Sequence, residues 1–112
     1  MQKTIRIDGR LIPFKSSPNI PLLYKTCLGR NFSRDLGEIF KIKNPVTPSQ
    51  EELKTINFDR LFRICWIFAK NADKSLPPPR EWERQFKSFP VFAVIAELSE
   101  LILAVRRDPR GP

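Results

Sequence analysis

The chain has 112 residues, 41% of them hydrophobic, with nine phenylalanines, two cysteines, no histidine and a net charge of +8 from 20 basic and 12 acidic side chains. That length fits one domain with a modest, aromatic-rich core, and the lack of histidine removes the commonest general base and the commonest metal ligand together. No run approaches the roughly 18 apolar residues of a membrane span, and the N-terminus lacks a signal peptide's apolar core, so a soluble, unexported, intracellular protein is expected.

The excess charge is unevenly placed. Residues 1–44 hold nine basic and three acidic groups, whereas 45–76 hold five and four and 77–112 hold six and five. One end of the molecule should therefore be positive and the rest nearly balanced.

The chain opens with TIRIDGRLIPFK, Thr4 to Lys15. Asp8-Gly9 is a two-residue loop that tolerates positive φ at both positions. It sets Ile7 opposite Arg10, Ile5 opposite Ile12 and Lys3 opposite Phe14, which puts Ile5, Ile7, Ile12 and Phe14 on one face. Pro13 cannot donate to a ladder and must turn its nitrogen to an unpaired edge. A lone hairpin is marginal in water, so its apolar face must lie on the helices that follow.

Ile20, Leu23, Tyr24, Cys27 and Leu28 recur at helical spacing, with Pro21 in the first turn and Gly29 as a stop. Asn31 or Ser33 can cap a second helix with Phe32, Leu36, Ile39 and Phe40 inward. Residues 41–48, with two prolines, read as an exposed loop, and Ser49 with Glu52 is a capping box for a short helical turn. Asn57 then caps the most apolar helix, in which Phe58, Leu61, Phe62, Cys65, Trp66 and Ala69 form one stripe widened by Ile64, Ile67 and Phe68. A helix apolar around most of its circumference belongs at the centre. Both cysteines fall in such stripes without ligand-type spacing and are expected as reduced core thiols.

The Pro77-Pro78-Pro79 linker leads into a short helix, Pro79 suiting its start and Trp82 pairing with Phe86. Pro90 opens the last helix, with Val91, Val94, Ile95, Leu98, Leu101, Ile102 and Val105 on one face. Residues 108–112 should fray. The expected fold is mainly α (α+β): an N-terminal β-hairpin packed on a compact bundle of four to five helices, one domain over residues 1–107.

No constellation points to catalysis. Glu97 and Glu100 share a solvated helix face, there is no glycine-rich phosphate loop, and no Ser, Cys or Lys has a base beside it. No cofactor and no metal are expected. The basic end offers Arg6, Arg10, Lys15, Lys25, Arg30 and Arg34 as a candidate partner-binding surface. These cations are singly spread and match no nucleic-acid-binding motif, so a plain solvated face, or a steering patch for an acidic partner, ranks above phosphate binding.

The order and spacing of several pieces resemble the tail assembly chaperones of long-tailed bacteriophages and prophages of Gram-positive bacteria. They are Ile7-Asp8-Gly9 with Phe14-Lys15, Leu23-Tyr24-Lys25, Gly29-Arg30 leading to Asp35-Leu36, and Phe58-Asp59. Trp66 with Phe68-Ala69-Lys70, Ala72-Asp73, and the prolines before Glu81-Trp82-Glu83 and Phe86 complete the set, which spans about residues 4–105. The net positive charge departs from the more acidic balance associated with that family. The resemblance implies a non-enzymatic factor of the infected host's cytoplasm, not found in the mature virion. Such a factor keeps the long helical tape-measure protein soluble and helps recruit major tail protein, often from a gene that also yields a longer frameshifted product. Neither a membrane nor nucleic acid is among the implied partners, and an edge strand of the hairpin could serve another copy or a client. The alternative is a small basic nucleic-acid-binding regulatory protein.

Overall fold

Asp8 and Gly9 turn the chain with φ of 53° and 76°, the double left-handed conformation that a two-residue hairpin loop requires. The flanking strands, β1 (Gln2–Ile7) and β2 (Arg10–Lys15), pair antiparallel with Ile7 opposite Arg10, Ile5 opposite Ile12 and Lys3 opposite Phe14. The alternation demands this register. Ile5, Ile7, Ile12 and Phe14 are buried, while Arg6, Leu11 and Lys15 on the other face are exposed.

The structure is a computed structural model that describes residues 1–40 and 49–107, without the side chains of Phe40, Glu52, Leu53, Arg106 and Arg107. The expected loop at 41–48 and the tail at 108–112 lie outside the described residues, as does the side chain of Glu52 in the Ser49 capping box. The helices are α1 (Ile20–Leu28), α2 (Phe32–Phe40), α3 (Gln50–Thr55), α4 (Phe58–Ala72), α5 (Pro79–Glu83), α6 (Val91–Glu97) and α7 (Ser99–Arg107). This is the α+β arrangement expected: the hairpin lies on a bundle of α1, α2, α4 and the α6–α7 pair, with α3 and α5 as short connectors.

Helix α4 is the axis of the fold. The Asn57 side chain accepts the Arg60 N–H at 3.1 Å and caps it. Leu61, Phe62 and every residue from Ile64 to Ala69 are buried, because α4 packs against β2, α1, α2, α5 and α6. Gly29 ends α1 at φ 68°, and the Asn31 side chain caps α2 by accepting the Arg34 N–H at 2.8 Å. The proline linker is tied to α4 by the Trp66 indole, which donates to the Pro77 carbonyl at 2.8 Å. Behind it, Trp82 stacks edge-on against Phe86 and Phe89, with centroids 5.1 and 5.5 Å away.

Three expectations are corrected. The last helix is broken at Leu98, which sits at φ −85°, ψ 0°, although Val94, Ile95, Leu98, Leu101, Ile102 and Val105 are all buried as read. Its N–H is shared among the carbonyls of the preceding turn, and the i→i−4 bonding resumes at Ile102. Phe58 opens α4 but is 47% exposed, because a first-turn side chain projects past the core; its ring meets Phe92 edge-on at 5.4 Å. Cys65 is buried as expected, but Cys27 in the last turn of α1 is exposed. Helical spacing places Cys27 by angle and says nothing of how far along its length the helix is covered.

Candidate interaction surface

The register sorts the hairpin's charges. Arg6 and Lys15 extend from its outer face, exposed and without an ion pair among the described residues. Arg10 belongs to the inner face at the tip. Its guanidinium lies 5.0 Å from the centroid of the Phe86 ring, a cation–π contact, and donates to Gln85 Oε1 at 3.2 Å. Asp8 accepts the Lys87 N–H at 3.0 Å, so the tip is pinned to the segment after α5. Lys25 on α1 and Arg34 on α2 are exposed.

Arg30 has a different position. Its Nε and Nη2 donate to the two oxygens of Asp35 at 2.6 and 3.0 Å, and Tyr24 donates its hydroxyl to Asp35 Oδ2 at 2.6 Å. The Asp35 carboxylate is fully buried. A second guanidinium, of Arg60 on α4, lies 3.8 Å from Asp35 Oδ1 and donates to Glu38 Oε1 at 3.1 Å. Burial alone would push the Asp35 carboxyl up. The hydrogen bonds from Arg30 and Tyr24, with the charges of Arg30 and Arg60, outweigh it and hold that carboxyl below the usual carboxylate range. Burial first, and then Asp35, push the Tyr24 hydroxyl above its ordinary value, so it remains the donor. A carboxylate so fully engaged is a clamp joining α1, α2 and α4. Of the six candidate cations, Arg30 therefore belongs to this clamp, Arg10 is docked on Phe86, and Arg6, Lys15, Lys25 and Arg34 stay outward.

The clamp went unread in the sequence, although a signal was present. Phe32, Asp35, Leu36 and Ile39 follow one helical stripe, and an aspartate at an inward position needs buried partners.

The two strand edges differ. In an antiparallel pair, residues alternate between those that bond their partner strand and those whose amides point away. Ser16 N–H bonds Met1 carbonyl at 2.8 Å, and Pro13, opposite Thr4, has no N–H; both fix the phase. Leu11, Pro13 and Lys15 thus face the free edge of β2, and Thr4 and Arg6 that of β1. The β2 edge lacks one donor at Pro13, and its Lys15 carbonyl already accepts from Asn71 at 2.9 Å. The β1 edge borders an open groove of about 560 Å³ whose far wall is Pro90 and the α6 residues Ala93, Ala96 and Glu97.

Among the described residues no group of three or more His, Cys, Asp or Glu side chains is placed to hold a metal ion, and no helix is long and apolar enough to cross a membrane. No family model, no curated protein and no solved structure matches the chain.

Proposed function

We propose that this protein is a non-enzymatic tail assembly chaperone of a long-tailed bacteriophage. In this reading it binds the tape-measure protein in the host cytoplasm and helps recruit major tail protein around it. The observation that carries the reading is the division between framework and free charge. Many of the residues on which the resemblance rests are framework: Phe14, Leu36, Trp66, Phe68, Ala69, Trp82 and Phe86 are buried, and Tyr24, Arg30 and Asp35 form the clamp. The outward cations Arg6, Lys15, Lys25 and Arg34 lie in the N-terminal third, where the net charge is concentrated. A rigid scaffold with an unpaired basic surface suits stoichiometric binding of an acidic client, in which charge governs encounter and partner choice.

The experiment is co-expression with the long helical protein encoded downstream of the same reading frame. With this chain present, that protein should move from the pellet to the soluble fraction. If it stays insoluble with and without the chain, the reading fails.

A further inference from the structure

Of the hairpin's two edges, only that of β1 offers consecutive outward amides beside a groove. Thr4 and Arg6 each turn an N–H and a C=O away from β2, so a third antiparallel strand could exchange two bonds with each. Neighbouring strands lie about 4.8 Å apart, and the groove of about 560 Å³ between β1 and α6 leaves that space clear.

We infer that the β1 edge is a strand-addition site for an extended client segment that alternates acidic and apolar residues. The chemistry follows from the register. A residue opposite Arg6 would share its outer face at about 5 Å between Cβ atoms, and Arg6 has no ion pair among the described residues, so an acid belongs there. The next residue, opposite Ile5, turns inward over Ala93 and Ala96, whose small side chains admit a branched apolar one. On this inner face the charge is already balanced, since the Lys3 ammonium donates to the Glu97 carbonyl at 3.1 Å and lies 3.8 Å from its carboxylate, so no acid is called for there. The place opposite Thr4 returns to the outer face beside Arg6 and takes the next acid of the alternation. A second copy is the poorer occupant, because it brings another +8 to a basic edge. The inference rests on the proposed function only for the identity of the client.

The test is amide hydrogen exchange by NMR on the intact protein, with and without a synthetic peptide of alternating glutamate and valine. In the free protein the Thr4 and Arg6 amides should exchange rapidly, while Ile5 and Ile7, which face β2, are protected. The Glu/Val peptide should slow Thr4 and Arg6 by about tenfold or more, and a Lys/Val peptide should not. Thr4→Pro removes an outward N–H and no bond to β2, so it should abolish peptide binding; Arg6→Glu should reverse the preference to Lys/Val. Binding that leaves Thr4 and Arg6 unprotected, or no binding at all, overturns the inference. So does concentration-dependent protection of both amides without peptide, which would assign the edge to a second copy. If the peptide fails while the tape-measure protein is still solubilised, the chaperone reading survives and only its site is lost.

Discussion

Replacing Asp35 with alanine removes the acceptor of three hydrogen bonds of 2.6, 2.6 and 3.0 Å. Bonds to a charged group are worth about 1.5–3 kcal/mol each, but they do not simply add. Arg30 is about a third exposed, so water would replace much of what it loses. The Tyr24 hydroxyl has no such recourse in its buried position, and stranding it costs about 1–3 kcal/mol. Arg60 Nε, buried without a hydrogen-bond partner among the described residues, also loses its nearest compensating charge apart from Glu38. The sum is about 3–4 kcal/mol, within the range for removing one side of a buried ion pair, and a large share of the roughly 5–15 kcal/mol that holds such a domain folded. Tyr24→Phe alone leaves Asp35 paired with Arg30 and should cost about 1–1.5 kcal/mol. In the double variant no hydroxyl is stranded, so the two losses should fall short of additivity by about 1–2 kcal/mol. Urea melts of the wild type, both single variants and the double variant read this directly. A loss below about 1 kcal/mol for Asp35→Ala, or additivity within about 0.5 kcal/mol, would refute the clamp.

Trp66→Ala should cost about 3–5 kcal/mol by denaturant melt, since the ring is buried and its indole N–H bonds Pro77; a loss below about 1 kcal/mol would put Trp66 at the surface. The depressed Asp35 carboxyl contributes stability that is fully present above the unfolded-state value of about 3.9 and is lost as pH falls through the lower folded value. Asp35→Asn should therefore flatten the fall in stability measured by melts at pH 5 and below, and an unchanged acid slope would contradict that account. A thiol reagent should label Cys27 in the native protein and Cys65 only on unfolding; two fast-reacting thiols, or none, would contradict the positions of both.

Legibility in the sequence followed the physics of each feature. The hairpin was readable to the residue because two independent signals agreed, the Asp8-Gly9 turn and a period-two apolar face on which a one-residue slip would expose Ile5 and Phe14. Helix α4 was readable because an apolar surface that wide can only sit at the centre. The break at Leu98 was invisible, since the apolar stripe from Val94 to Val105 runs on through it and neither glycine nor proline marks it. The clamp was hidden for another reason. Charged residues read by default as solvated, so Arg30 looks like one more surface cation, and Glu38 and Arg60 bond across 22 positions of sequence that periodicity does not connect. The basic surface was legible as composition, but only the register separates the outward Arg6 and Lys15 from Arg10, which is docked on Phe86.

The most direct measurement is co-purification of the tape-measure and major tail proteins on this chain and on an Arg6→Glu, Lys15→Glu variant. Both substitutions fall on the exposed outer face of the hairpin and spare the Arg10 and Arg30 contacts, so the melt should shift by no more than about 0.5 kcal/mol. The account predicts that the wild type retains the tape-measure protein at low salt and that the equally folded variant retains markedly less. A wild type that retains neither protein, or that holds DNA in a steeply salt-dependent way instead, would contradict it.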